Sequence, residues 1–176
     1  MQVRQIEFSG IMVYRVYRLK ELEIIVIMGD DMAADKDKGH FAKKHQAGAR
    51  ANPEIEAALK QEVSNGELPC AVAFKIASDL DVHPGEVGHV ADLLEMRLTK
   101  CQLGLFGYRP AKRIVEPAET VSPDLEEAIK ERLENGRLPC VSAWNIAKSL
   151  GLRKMAVSSA CQALGIKISS CQIGAF

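Results

Sequence analysis

No stretch of this sequence is apolar for long enough to approach a membrane span. None shows the charged start, apolar middle and small-residue cleavage site of a secretory signal. The expectation is a reduced, cytoplasmic chain with no membrane contact. An excess of either charge is also missing: 23 basic residues balance 23 acidic ones over 176 positions. Attraction to nucleic acid must then come from local patches. There is no phosphate-cradling glycine loop, no nucleophile paired with a base and no carboxylate cluster, so neither an enzyme nor a cofactor is expected. Five cysteines are present, but without Cys-x-x-Cys spacing, and no histidine recurs at matching positions. That pattern speaks against a metal site.

What the chain does have is one unit written twice. Pro53 through Asn65-Gly66-Glu67-Leu68-Pro69-Cys70 to Cys101-Gln102-Leu103-Gly104-Leu105-Phe106 recurs 70 positions on without a gap. The second copy runs from Pro123 through Asn135-Gly136-Arg137-Leu138-Pro139-Cys140 to Cys171-Gln172-Ile173-Gly174-Ala175-Phe176. Of 54 aligned positions, 19 are identical, where chance gives about three. The expected organisation is an N-terminal extension at 1–51, a first repeat at 52–106, a linker at 107–122 and a second repeat at 123–176. Units this small bury only about 60% of their unfolded surface. The copies are therefore expected to pack on each other or on a second chain.

Residues 1–28 admit two readings. Val13, Tyr14, Val16, Tyr17 and the run Ile24 to Met28 have strand-like composition and suit a hairpin or an edge strand. Alternatively, translation starts at Met28 or Met32 and 1–27 is not part of the protein. Residues 29–51 pass from Asp30, Asp31, Asp35 and Asp37 to Lys43, Lys44 and Arg50. This composition suits a partly disordered leader, whose basic end from Lys43 to Arg50 is either solvated or a flexible arm for phosphates.

Each copy reads as three helices and a short strand. Asn52-Pro53 and Ser122-Pro123 place a capping residue before a proline at the first helical position. Ile55, Ala58, Leu59 and Val63, or Leu125, Ala128, Ile129 and Leu133, fall on one helical face. Gly66 and Gly136 end that helix, and Pro69 and Pro139 start the next. It carries Ala73, Phe74, Ala77 and Leu80, or Ala143, Trp144, Ala147 and Leu150. A third helix carries Val87, Val90, Ala91 and Leu94, or Val157, Ala160, Cys161 and Leu164. Strands are expected over 98–103 and 168–173, with Cys101 and Leu103 on one face and Lys100 and Gln102 on the other. Gly104 and Gly174 mark bends, and each strand edge is expected to pair with the N-terminal strand region, the linker or the other copy. The linker, with Pro110, Pro117 and the basic group Arg109, Lys112 and Arg113, suits an extended connector.

Ala147, Gly151 and Val157 stand at offsets of four and ten, with Ile146, Leu150, Leu152 and Ala160 around them. A small residue late in one helix lets the next cross close to it, and glycine permits the sharp turn between them. This spacing resembles the helix-turn-helix signature of bacterial DNA-binding proteins, over Cys140 to Ile166. With the helix before and the strand after, it is similar to a reduced winged helix. The first copy fits the same frame through Ala77, Val82, Val87 and Val90, with Asp81 in place of the turn glycine. The fold class expected is mainly α, as two tandem three-helix repeats.

The resemblance implies a transcriptional regulator that puts its third helix into the major groove of double-stranded DNA. In the second copy the reading positions are Arg153, Lys154, Ser158, Ser159 and Gln162, residue types that pair with base edges. From Arg153 to Ser170 there are three positive charges and no acid. The first copy offers His83, Pro84, Gly88, His89 and Asp92, with Glu86 and Glu95 on the same helix. Those acids repel phosphates, so the first repeat is expected to serve packing, a homodimer or a partner protein. Two other classes stay open. The repeats are either a protein-interaction scaffold without DNA, or a thiol-based redox sensor using Cys70, Cys140, Cys101 and Cys171. Cys70 and Cys140, expected at the second position of a helix, are placed where the helix dipole favours thiolate. Against that, Cys161 replaces Ala91 as a plain core residue does.

Overall fold

A computed structural model of the chain describes residues 3–8, 11–16 and 40–176. The first two stretches form an antiparallel hairpin, β1 (Val3–Phe8) with β2 (Ile11–Val16), in register from Val3↔Val16 to Phe8↔Ile11. This matches the hairpin alternative for the strand-like residues Val13, Tyr14 and Val16. Tyr17, the run Ile24–Met28 and the leader up to Gly39 lie outside the described residues.

Residues 40–176 are mainly helical with short strands. A 3-10 turn, Phe41–Lys44, precedes α1 (Pro53–Glu62), β3 (Glu67–Pro69), α2 (Cys70–Asp79), α3 (Pro84–Leu93) and β4 (Arg97–Thr99). The same order recurs as α4 (Pro123–Lys130), β5 (Arg137–Pro139), α5 (Cys140–Ser149), α6 (Lys154–Ala163) and β6 (Lys167–Ser169). Backbone conformation recurs as well. The left-handed pairs Asp81 and Gly151, Glu95 and Gly165, and Lys100 and Ser170 each stand 70 residues apart.

Local chemistry explains the elements. Asn52 and Ser122 cap α1 and α4, accepting the Glu54 and Leu125 N–H groups, with proline at the first helical position of each. The first helices end earlier than the glycines suggest, at Glu62 and Lys130. In the first copy, Asn65 then turns the chain by accepting the Glu67 N–H. Next in each copy comes a strand that the sequence pattern does not announce. β3 pairs parallel with β4 (Leu68↔Leu98), and β5 with β6 (Leu138↔Ile168). Each expected strand thus finds its partner inside its own copy, which corrects the expected pairing with the N-terminal strand region, the linker or the other copy. Pro69 and Pro139 close β3 and β5 as the capping residues of α2 and α5.

The strands are shorter than expected, and for a reason. Lys100 and Ser170 adopt φ of +48° and +50°, which turns the chain out of the strand after Thr99 and Ser169. The face alternation expected for Lys100 to Leu103 is therefore lost. Instead, 101–106 folds into a closed loop. The Cys101 N–H donates to the Phe106 carbonyl, and the Gly104 N–H to the Cys101 carbonyl. In 171–176, Cys171 to Phe176 and Gly174 to Cys171 repeat both bonds.

These loops cross over. Cys101 and Leu103 belong to the second copy's core with Leu125, Ile129, Leu138, Ile146 and Val157. Ile173 belongs to the first copy's core with Ile55, Leu59, Leu68, Ile76 and Val87, and Cys171 packs against that core. Burying Leu103 and Ile173 contributes roughly 2–3 kcal/mol each. Neither core is complete without the other copy, as the small size of each unit requires. Phe74 and its counterpart Trp144 meet between the cores, ring centroids 4.2 Å apart. Leu150 departs from its expected core place and is 39% exposed, as is Leu152.

Candidate functional site

A base-reading residue would stand on the outer side of each third helix. On α6 that side is occupied by the chain itself. Ser158 is fully buried, and its hydroxyl donates to the Leu103 carbonyl at 2.7 Å, with the Met155 carbonyl at 3.0 Å. The Ser159 hydroxyl donates to the Glu116 carbonyl, and the Ser159 carbonyl accepts the Ala118 N–H at 3.1 Å. The linker reaches this position because the Ile114 and Val115 N–H groups both donate to the Gly104 carbonyl, seating the Val115 side chain in the interior.

Lys154 is half-buried. Its ammonium stands 3.1 Å from the Trp144 ring centroid and donates to Gln102 Oε1 at 2.6 Å. Cation–π attraction of this kind is strongest where water is excluded. Burial lowers the lysine's pKa, with the Cys70 and Cys140 thiols pulling the other way. The Trp144 indole N–H is buried without an acceptor among the described residues, and the structure offers no compensation for it. Gln162 is half-buried, and Arg153, the residue preceding α6, is exposed. Of the five expected base-reading residues, then, one is exposed. Lys154, Ser158 and Ser159 are bonded to the loop of the first copy or to the linker.

The first copy is closed the same way. Ile173 passes so near Gly88, the counterpart of Ser158, that a Cβ there would lie 1.8 Å from the Ile173 carbonyl oxygen. Residues 41–45 lie against the C-terminal end of α3 and against Glu95, which stands beyond that end and not on the helix as expected. Glu95 accepts the Phe41 and Ala42 N–H groups at 2.7 and 3.3 Å, capping the 3-10 turn. Lys44 pairs with Asp92 at 2.9 Å and donates to the Gly174 carbonyl. His45 Nε2 lies 3.0 Å from Asp92 Oδ2, and His45 Nδ1 lies 3.1 Å from His89 Nδ1. Within the basic stretch read as either solvated or a flexible arm, Lys43 to Arg50, Lys44 and His45 are bonded to Asp92 on α3. His83 caps α3 through the Gly85 N–H, and Glu86 returns to the His83 N–H. In the linker, Arg109 is paired with Glu67 at 2.8 Å.

Sequence reasoning missed the His45–His89–Asp92 chain. His45 sits in a stretch whose composition suggested a leader, and His89 and Asp92 looked like surface positions. The one available signal was that α3 carries an acid and a histidine three residues apart on its outer face.

The cysteines behave as core. Cys70 and Cys140 are the first residues of α2 and α5, and both are buried, as are Cys101 and Cys161. All five are free thiols, with Cys171 half-buried. Helix-start placement does not yield thiolates here, because burial outweighs the dipole. Burial pushes Cys70 and Cys161 up to about 11 and raises Cys101 and Cys140 as well. The cross-over loops bring four of the thiols near one another. Cys101, Cys171 and Cys140 each add like-charge repulsion at Cys70. Among the described residues, no three potential ligands form a group able to hold a metal.

Among the described residues no helix is long and apolar enough to cross a membrane. Comparison with protein-family models, curated proteins and solved structures finds no match to the chain.

Proposed function

We propose that the chain is a tandem pair of helix-turn-helix domains, winged-helix-like in form, that works as a non-enzymatic protein-interaction module. One observation carries this reading: Ser158 and Ser159 on α6, and Gly88 and Asp92 on α3, are bonded to or packed against other parts of the same chain. Ser158, at a base-reading position, is fully buried against Leu103. For a major groove to reach it, the Leu103 loop must leave the second core, at a cost of about the 2–3 kcal/mol of a buried leucine and more for the bonds lost with it.

An open apolar surface lies at the turn of the second copy. Leu150 and Leu152 are each 39% exposed there, between the exposed cations Lys148 and Arg153. In the first copy Leu80 and Val82 are half-buried, beside Asp79 and Asp81. An apolar pair flanked by cations suits an acidic partner segment that carries apolar anchors. The test is capture from the source cells by the intact chain, alongside Leu150→Asp with Leu152→Asp. A partner retained by the wild type and lost from the variant supports the reading. A partner retained equally by both contradicts this surface.

A second reading rests on charge. From Asn135 to Phe176 there are five cations and no acid. Arg137, Lys148, Arg153 and Lys167 are exposed. Such a surface suits phosphate contacts without base reading. It predicts duplex binding that falls steeply with salt, is indifferent to sequence and is weakened by Arg153→Ala.

A further inference from the structure

The turn between the second and third helices is built the same way in both copies. The Leu80 and Leu150 N–H groups donate to the Ile76 and Ile146 carbonyls, both at 3.0 Å. The Val82 and Leu152 N–H groups donate to the Ala77 and Ala147 carbonyls, at 2.9 and 2.8 Å. Asp81 and Gly151 hold φ of +51° and +64°. On this shared backbone the apolar pair is kept, as Leu80 with Val82 and as Leu150 with Leu152. The charges are reversed. Asp79 and Asp81 accompany the first pair, and Lys148 and Arg153 enclose the second. The counterparts of the two acids are Ser149 and Gly151, and those of the two cations are Ser78 and His83.

Most of these charges are not used within the fold. Among the described residues, Asp81, Lys148 and Arg153 take part in no ion pair, and all three are exposed. Asp79 pairs with Lys75 at 2.9 Å, but Lys75 is shared with Glu62 at 3.2 Å. One lysine therefore answers Glu62, Asp79 and Asp81, and the first turn stays acidic. The contrast extends beyond the turns. From Asn65 to Phe106 six acids outnumber three cations, whereas the aligned stretch from Asn135 to Phe176 has five cations and no acid. Among the described residues no hydrogen bond or ion pair joins the two turns to each other, so their complementary charges are open to a second chain.

We propose that the chain docks head to tail on a second copy of itself, with the Leu150 and Leu152 turn of one chain against the Leu80 and Val82 turn of the next. This contact rests on the reading of the second turn as a protein-docking surface, and it identifies the acidic partner as the first turn. Lys148 and Arg153 face Asp79 and Asp81 across it, and the two apolar pairs pack between them. A turn meeting its own kind sets cations against cations or acids against acids, which disfavours a symmetric pairing. The contact is therefore heterologous. Each chain carries both halves of it, so it propagates from chain to chain unless the geometry closes a ring.

The test is sedimentation equilibrium of the intact chain over a concentration series at low salt, with two charge-reversed variants. All four substituted side chains are exposed, and Lys100 at φ +48° already holds the conformation that a lysine at position 81 must adopt. The weight-average mass of the wild type should rise above the 19.3 kDa of one chain with concentration, and return to it as salt rises. Lys148→Glu with Arg153→Glu makes both turns acidic, and Asp79→Lys with Asp81→Lys makes both cationic. Each variant alone should stay a single chain, and the two mixed in equal amounts should associate again. A wild type that stays a single chain up to about 1 mM at low salt overturns the self-contact. So does association that either variant retains alone, or a mixture that does not associate. A single-chain wild type whose captured partner is lost from Leu150→Asp with Leu152→Asp overturns the self-contact alone. One whose partner is retained by that variant overturns the docking surface as well.

Discussion

The Ser158 hydroxyl and the Leu103 carbonyl, 2.7 Å apart in the second core, tie the third helix of one copy to the loop that ends the other. At the equivalent place in the first copy, Gly88 leaves room for the Ile173 backbone itself. The two cross-overs share a path and differ in chemistry, so their substitutions should fail differently. Ser158→Ala leaves a buried carbonyl with one partner fewer and should cost about 1–3 kcal/mol. Gly88→Ala forces two backbones apart and should cost at least as much. Chemical denaturation of each variant is the measurement. A neutral Gly88→Ala would mean that Ile173 does not lie on α3.

The turn between the second and third helices separates strain from contact. Gly151 has φ +64° and nothing within 4 Å of a Cβ built there, so substitution meets strain alone. Gly151→Val should cost about 1 kcal/mol or more, as a branched residue is poorly suited to this region. Asp81 already holds φ +51° as a non-glycine residue. Asp81→Gly should be neutral or mildly stabilising, as read from its unfolding midpoint.

The buried thiols give a pH dependence with a defined sign. The folded value of Cys70 and Cys161 is about 11, against 9.0 for a free thiol. A raised pKa means that the folded state holds its proton longer. Stability is therefore full below pH 9 and falls as pH rises toward 11, by on the order of 2 kcal/mol for each thiol. Thermal melts between pH 7 and 10.5 should show the decline. At pH 7.5, alkylation of the folded chain should be far slower than that of the unfolded chain, with Cys171, the half-buried thiol, reacting first.

The repeat, the six helices of residues 40–176, the capping pairs at Asn52 and Ser122, and the left-handed residues at Asp81 and Gly151 were legible in the sequence. Local rules fix them: a cap before a proline, a helical period, a turn of one handedness. The cross-over was not legible. Leu103 and Ile173 are apolar under either arrangement, and a gapless repeat looks the same whether each loop packs on its own core or on its neighbour's. The bonding of the candidate site was not legible for the same reason. Ser158 and Lys154 have residue types suited to base edges, but a carbonyl from a segment 55 residues away uses the Ser158 hydroxyl. Composition also misled at His45, because a stretch rich in lysine and small residues can still be held by Asp92 on α3 and Glu95 just beyond its end.

On the proposed reading, α6 keeps its bonds to the Leu103 loop and to the linker and does not read bases. The decisive measurement is selection of the intact chain against a randomised duplex library at near-physiological salt. No sequence should be enriched, and any residual binding should vanish as salt rises. An enriched sequence whose affinity drops roughly tenfold or more with Ser159→Ala or Gln162→Ala would contradict the closure, and would return α6 to the major groove.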